Sequence, residues 1–382
     1  VALPALTHRQ ALVVLSLIVA LALALRCQYA LTHLVTEVRN DAKEYDALAR
    51  NLLNGRGYSL NGIAPSAKRL PVYPLFLAGV YGVFGLSFRA LLLIQAGLGA
   101  LTAGLTYWIG RRTVGDWPGL LAAVLFIFYE PANLLFARVM SEALYMPLLA
   151  LSVLLLTYVL VHPGWGRVAL LGVLLGVATL CRAVAMCLPV GIGAALLATR
   201  HLSCQAIRWT LVLLVSFGLV VSLWLAYNYA RFDGRIMFLS KVGQDLANTL
   251  LDEADSADES AVASRPMIST GGIVVAILTH PAEYARIGVG NVVELYRLRQ
   301  AHWRWLQAIE LGLGLLGMAV LLPAGRKSLA LYLVIGVITF FHFLTHGIFR
   351  YALPLAPYWF LFAAAGILWF PSHRCQRGSR TD

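Results

Sequence analysis

Val38–Tyr58 reads VRNDAKEYDALARNLLNGRGY. Seven of its 21 residues are charged, against 13% of the whole chain. The stretch is too polar to lie in hydrocarbon. Yet Tyr45, Leu48, Ala49 and Leu52 recur at i, i+3, i+4 and i+7, which is one face of a helix. Lys43, Asp46 and Arg50 fall off that face, and Asn54-Gly55 is a helix stop signal. The spacing predicts a helix from Asp41 to Leu53 that lies in a membrane interface with its apolar face down.

The surroundings of this stretch set the fold class. The chain has 382 residues, is 60% hydrophobic and has a mean hydropathy of +0.76. Soluble domains are roughly 45–50% apolar and about 25% charged. Apolar runs of about 20 residues recur along the chain, the length that crosses a hydrocarbon core. The expectation is an all-α polytopic membrane protein.

The net charge of +12 does not point to nucleic acid. Arg9, Arg111, Arg112, Arg167, Arg200, Arg208, Arg326, Lys327, Arg374, Arg377 and Arg380 fall in short segments between or beyond the apolar runs. Only Asp116 and Asp382 are acidic there. Such a bias marks cytoplasmic loops, with anionic lipid as a secondary attraction. Alternating sides gives about ten spans, near 11–30, 88–110, 117–130, 142–160, 168–181, 184–199, 207–226, 306–322, 329–346 and 352–370. Both termini are then cytoplasmic. Residues 1–382 form one transmembrane domain, with extracytoplasmic segments at 32–87 and 227–304. His8 and Arg9 followed by ALVVLSLIVALALAL also fit a signal peptide; retention as a span keeps the charge alternation. The acidic run LDEADSADES, 251–260, reads as a mobile loop.

Asp41 has two compatible readings. It can cap its helix, with Glu44 completing a capping box. It can also be a general base held at the membrane surface, oriented by Tyr45. In KRLPVYPLFLAGVYGVFG, Lys68–Gly85, Pro71 and Pro74 start a second short amphipathic helix. Lys68 and Arg69 at its mouth either snorkel to headgroups or bind phosphate. Arg350 stands between two spans, where a charge is costly and usually functional, or else is a helix-end residue; Tyr351 beside it suits an interfacial anchor. Arg182 interrupts two apolar runs, with Glu142 or Glu130 as its candidate partner. Glu310, inside a span, is expected to face a polar cavity or another helix. His342 and His346 have a spacing that can bind metal, but no carboxylate accompanies them, so packing or water contact is expected. Five cysteines show no metal-ligand spacing and read as packing residues, with a Cys181–Cys187 disulfide as an alternative. No motif calls for a cofactor or a metal ion, and use of a divalent metal is left open.

The motifs have a familiar order. D-x-x-x-Y-x-x-L-A-x-N-L-L-x-G-x-G-Y from Asp41 is followed by R-x-P-x-Y-P-x-F-L-A from Arg69. Then come ARVMSEALYMPLLAL at 137–151, GVATLCRAVAMCLP at 176–189 and GIFRYALPLAP at 347–357. The set resembles the GT-C superfamily of membrane glycosyltransferases, in the protein O-mannosyltransferase-like branch that includes the aminoarabinose transferases of lipid A. The resemblance implies a polyprenyl-phosphate sugar donor and an inverting transfer to a lipid, glycan or protein acceptor. It implies an extracytoplasmic site in a bacterial inner membrane. Asp41 would be the catalytic carboxylate. Arg69, Arg350, Tyr351, Lys68 and Arg182 would bind the donor, with Tyr45, Glu44, Tyr73 and Glu142 in support. The chain shows no large soluble domain after its last span and no β-trefoil-like insertion, so the acceptor is not carried over.

Chemistry favours this pairing of residues. Releasing a sugar from a lipid phosphate turns a singly charged diester into a monoester approaching two charges, so a fixed arginine stabilises the transition state more than the ground state. A transporter would show paired halves with broken midplane helices, and that symmetry is not visible. A flippase of lipid-linked saccharides has little use for a base and a phosphate clamp on one face.

Overall fold

The computed structural model describes residues 6–33, 41–234, 281–296 and 304–378. Among them the regular structure is helical. α1 (His8–Thr32) opens with a capping box between Thr7 and Gln10. The first loop carries α2 (Asp41–Leu53) and α3 (Val72–Phe84). Then follow α4 (Phe88–Thr113), capped by Ser87, α5 (Asp116–Phe128) and α6 (Glu130–Phe136). α7 (Glu142–Val161) and α8 (Trp165–Cys181) come next. After an extended Arg182 and a short 3-10 turn, Ala183–Cys187, the chain continues as α9 (Leu188–Thr199) and α10 (Cys204–Arg231). The last part holds α11 (Pro281–Leu295), α12 (Arg304–Leu321), α13 (Leu329–Leu344), the single turn α14 (Phe349–Ala352) and α15 (Ala356–Gly378). The acidic run 251–260 lies outside the described residues.

Five helical segments are long and apolar enough to cross a membrane: His8–Thr32, Phe88–Thr113, Glu142–Val161, Cys204–Arg231 and Phe349–Leu368. α5 and α6 add a sixth if they form one broken span. Shorter apolar helices, Trp165–Cys181, Ala183–Thr199, Ala308–Leu321 and Leu329–Leu344, cover the other expected runs. Along α10, Leu211, Val215, Leu219 and Leu223 form an i, i+4 stripe, each more than half exposed. A water-soluble helix turns such a stripe inward; here it faces outward, as a lipid-facing helix does. The protein is an integral membrane protein.

The expected span 117–130 is α5, and an unexpected short helix, α6, follows it. The chain bends by 62° between α5 and α6. Pro131 sits at the start of α6 and has no amide hydrogen to give the Ile127 carbonyl, which accepts from Asn133 Nδ2 at 2.9 Å instead. Arg26, 1% exposed on α1, packs against the break. Its guanidinium lies between the rings of Phe126 and Phe136, at 5.0 and 5.2 Å, with Nη2 3.5 Å from the Phe126 carbonyl oxygen. A cation there meets the negative end of α5 and two ring faces. Gly99 leaves the room, because a Cβ at that position would collide with Arg26 Cδ and Nε.

The basic short loops gather at one end of the bundle. Arg111 pairs with Asp116 at 3.0 Å and donates to the Leu6 carbonyl. Arg112 bonds Thr157 and lies over the Tyr158 ring. Arg200 donates to the carbonyls of Leu160 and Val161, and Arg326 to that of Thr199. Arginines are well placed there, because the last carbonyls of a helix lack partners. The opposite end carries α2, α3, the starts of α4 and α7, the Arg182 break and α14.

α2 does not rest on lipid through its apolar face. Tyr45, Leu48 and Ala49 are buried in protein. Leu48 clusters with Tyr58, Leu180 and Trp224, so the face closes the end of the bundle against α8 and α10. The polar flank is tied down as well: buried Asp46 accepts from Tyr81 at 2.9 Å and pairs with Arg50 at 2.6 Å.

Candidate active site

α2 places Asp41 and Glu44 in its first turn, three residues apart and on one side. All four carboxylate oxygens are taken by cations. Arg69 uses its planar fork across both groups, Nη2 to Asp41 Oδ1 and Nε to Glu44 Oε2, each at 2.6 Å. Lys68 binds Glu44 Oε1 at 2.6 Å, and Arg350 Nη2 binds Asp41 Oδ2 at 2.8 Å. The capping role read from Asp41 and Glu44 gives way to this ion network.

A second carboxylate ties in the far helices. Glu142, the first residue of α7 and 1% exposed, receives Arg350 Nε at 3.0 Å and Arg182 Nη1 at 2.8 Å. The partner of Arg182 is therefore Glu142, not Glu130. Arg182 reaches it because the chain is extended at the α8 break. Its Nη1 also donates to Ser141 Oγ at 3.1 Å, which accepts from Tyr45 OH at 3.2 Å. Four cations (Lys68, Arg69, Arg182, Arg350) face three carboxylates (Asp41, Glu44, Glu142), so the network carries one surplus positive charge.

Aromatic rings hold these side chains in place. Arg182 and Arg350 lie over the Tyr351 ring at 5.0 and 5.5 Å, and Arg69 over Tyr45 at 5.1 Å. Tyr45 meets Tyr73 edge to face. Tyr73 is fully buried and donates to Gln95 Oε1 at 2.8 Å; Gln95 in turn donates to the carbonyls of Phe136 and Arg138. This chain of bonds fixes the first loop against the segment before α7.

The network lines a cavity of about 140 Å³, whose walls include Asp41, Arg69, Arg182, His342, Arg350 and Tyr351. Lys68 and Tyr45 also line it, whereas Glu44, Tyr73 and Glu142 stand behind the wall. Beyond Arg350 a second cavity of about 390 Å³ is walled by Glu130, Leu134, Arg138, Phe349, Arg350 and Leu353. Arg350 borders both. Glu310 lines a separate small cavity with Tyr129, Tyr296 and Trp359.

Burial by itself would raise the Asp41 carboxyl, but Arg69 and Arg350 outweigh it and hold Asp41 at about 2. Glu44 shows the same balance: burial pushes it up, and Lys68 and Arg69 bring it below the usual range.

Three further residues, His342, His346 and Ser141, stand on the wall. His342 and His346 were expected to pack or meet water; both line the cavity, and His342 stacks on Tyr351. Ser141 was not singled out, and its place next to Glu142 was its only signal. Cys181 and Cys187 are free thiols, which removes the disulfide alternative. Among the described residues no three His, Cys, Asp or Glu side chains converge as a metal site would need.

Residues 66–226 match the family described as dolichyl-phosphate-mannose-protein mannosyltransferase. Among solved structures, the chain superposes on the apo archaeal oligosaccharyltransferase of Archaeoglobus fulgidus with a TM-score of 0.59 at 14% identity, covering 98% of this chain and 52% of that one. The chain shares the fold of this oligosaccharyltransferase. The archaeal oligosaccharyltransferase AglB from Archaeoglobus fulgidus, in complex with an inhibitory peptide and a dolichol-phosphate, matches at 13% identity with a TM-score of 0.54, over 96% of this chain and 51% of that one. The chain thus spans about half the length of these structures. ArnT from Cupriavidus metallidurans bound to undecaprenyl phosphate aligns at 16% identity and a TM-score of 0.42, over 92% of this chain and 77% of that one. No curated protein matches the chain.

Proposed function

We propose that this protein is an inverting glycosyltransferase that moves a sugar from a polyprenyl-phosphate donor to a lipid, glycan or protein acceptor. The observation that carries the reading is Arg350. One guanidinium bridges Asp41 and Glu142 at the rim of a cavity with surplus positive charge. The family description and the dolichol-phosphate held by AglB support a lipid phosphate as the anion that completes it. The basic end of the bundle would face the cytoplasm, which puts the site on the extracytoplasmic side of what we take to be a bacterial inner membrane.

The resting site is not yet a good base. A carboxylate held at about 2 has little affinity for a proton near neutral pH. The donor phosphate competes with Asp41 for Arg350 and Arg69, and planar guanidinium forks suit phosphate oxygens. As the arginines turn to the phosphate, Asp41 loses the partners that lower it, while its burial remains. Its proton affinity rises where the acceptor arrives.

Asp41 then takes the proton of the acceptor hydroxyl. The acceptor oxygen attacks C1 of the sugar from the face opposite the phosphate. The bond between C1 and the phosphate oxygen breaks with its electron pair on that oxygen, so the anomeric configuration inverts and the lipid leaves as a phosphate monoester. Arg350 and Arg69 meet the second charge as it forms, where fixed electrostatic donors act most strongly. Arg182 and Glu142 keep Arg350 in place, and Lys68 adds charge at the mouth.

The test is transfer by the purified full chain in proteoliposomes, given radiolabelled undecaprenyl-phosphate sugars and a membrane extract as acceptor source. Protein-dependent release of undecaprenyl phosphate with label on an acceptor is expected. Movement of the intact donor across the bilayer without release of the lipid phosphate would replace this reading with a flippase.

A further inference from the structure

We propose that His342 is a specificity-determining residue that reads a hydroxyl of the donor sugar through Nε2; the proposal rests on the donor reading above. His342 lies in the last turn of α13 and lines the cavity with Asp41, Arg182 and Arg350. It is 4% exposed. Its Nδ1 is 2.9 Å from the carbonyl oxygen of His346. A carbonyl can only accept, so Nδ1 carries the hydrogen and donates, and this bond assigns the tautomer. In the neutral ring Nε2 is then a bare acceptor. It has no partner among the described residues.

The ring is held on two sides. It stacks on Tyr351 with centroids 5.3 Å apart and planes at 20°, and Phe341 meets it edge to face at 5.4 Å. Nε2 is therefore a fixed acceptor, which is what discrimination between similar ligands needs.

The rest of the wall decides which group suits it. Lys68, Arg69, Arg182 and Arg350 are donors only. Asp41 accepts from cations on both oxygens and, once the donor releases it, is taken by the acceptor hydroxyl. Nε2 is thus an acceptor that no cation occupies. A phosphate oxygen cannot use it, because both are acceptors. An ammonium group could donate to it, but the surplus positive charge around it disfavours a second cation. A neutral hydroxyl donates without adding charge.

Position agrees with chemistry. Tyr351 lies under Arg350, proposed to hold the phosphate, and under Arg182, which keeps Arg350 in place, and it stacks on His342. The sugar bonded to that phosphate is the part of the donor nearest to Nε2. The substrate class is a neutral sugar with a free hydroxyl at the contacted position, in preference to a cationic amino sugar. A site built around a substrate hydroxyl rejects the analogue lacking it, because the protein's acceptor is then left unpaired.

Two substitutions separate this role from a structural one. His342→Asn keeps an N–H near the Nδ1 position for the His346 carbonyl and removes the acceptor. His342→Gln places an amide oxygen near the Nε2 position and gives up the bond to His346. Binding of undecaprenyl phosphate and of its mannosyl, glucosyl and arabinosyl derivatives is measured for each in the full-length protein. The wild type is expected to hold one glycosylated lipid more tightly than the bare one. In His342→Asn that advantage should fall roughly tenfold, the scale of one hydrogen bond, with bare-lipid affinity unchanged. His342→Gln should keep most of it. Equal advantage in all three proteins, or loss in the glutamine variant alone, overturns the proposal. Failure of the wild type to bind undecaprenyl phosphate at all overturns the donor reading and this proposal with it.

Discussion

Arg350→Lys separates a phosphate clamp from an ordinary surface cation. Arg350 makes its two ion pairs through different nitrogens: Nη2 reaches Asp41 at 2.8 Å and Nε reaches Glu142 at 3.0 Å. Lysine has one ammonium and no donor along its stem, so it can serve one carboxylate but not both. The contact from Nε is an ion pair without hydrogen-bond geometry, so its loss should cost folding stability only about 1 kcal/mol, the scale of a part-exposed ion pair. Glu142 keeps Arg182 at 2.8 Å and Asp41 keeps Arg69 at 2.6 Å, so neither is left as an unpaired charge. The effect on turnover should be larger. The leaving phosphate gains its second charge only in the transition state, and loss of one fixed electrostatic donor lowers kcat by about 10²–10³. Steady-state transfer from an undecaprenyl-phosphate sugar, run beside binding of bare undecaprenyl phosphate, reads both quantities. Turnover should fall much more than affinity. Wild-type kcat in the lysine variant, or a change confined to KM, refutes the clamp at this position and moves attention to Arg69 or Arg182.

Glu142→Gln removes the carboxylate that two buried guanidiniums hold in common, and breaking such a buried pair costs about 3–5 kcal/mol; thermal unfolding in detergent should show it, and an unchanged Tm would mean that the arginines do not depend on Glu142. Acid should weaken the site late. Asp41, ordinarily near 3.8 and held at about 2, contributes its stabilisation fully above pH 4 and loses it as pH falls through 2, by about 2 kcal/mol in all. The wild type and Asp41→Asn should therefore differ by a constant amount from pH 8 to pH 4 and converge below; convergence already at pH 6 would contradict the depressed value. In an otherwise cysteine-free chain, a cysteine at exposed position 61 should be labelled from outside the cell, and one at position 112, in the basic end, should not; the reverse pattern would invert the topology.

Much of this arrangement could be read from the chain because charge is scarce in it. A carboxylate at the start of an amphipathic helix, a cation pair before two prolines and an arginine between apolar runs each stand out where few residues are charged. Their pairing could not be read: Asp41 and Arg350 are 309 positions apart, and only the packed bundle joins them. The expected span 117–130 ends at the α5–α6 break, and α6 was missed because Glu130, Pro131 and Asn133 interrupt the apolar run. The burial of Arg26 between two phenylalanines was not legible, because it depends on a gap left by Gly99 in another helix. The histidine pair packs as expected, His342 against Tyr351 and Phe341, but its place on the cavity wall could not be read. Spacing tests for a metal partner, but His342 faces a cavity made by α14 and the Arg182 break, which no local pattern describes.

The most direct measurement is Asp41→Asn, assayed at once for sugar transfer and for binding of undecaprenyl phosphate. Asparagine fills the same space but neither takes the acceptor's proton nor competes as a charge for Arg69 and Arg350. Transfer should fall by about 10²–10⁴, the range for a lost general base, while the bare lipid phosphate binds more tightly than to the wild type. Turnover near that of the wild type, or weaker binding of the lipid phosphate, would contradict the claim that Asp41 is the base and that its two arginines are meant for the donor.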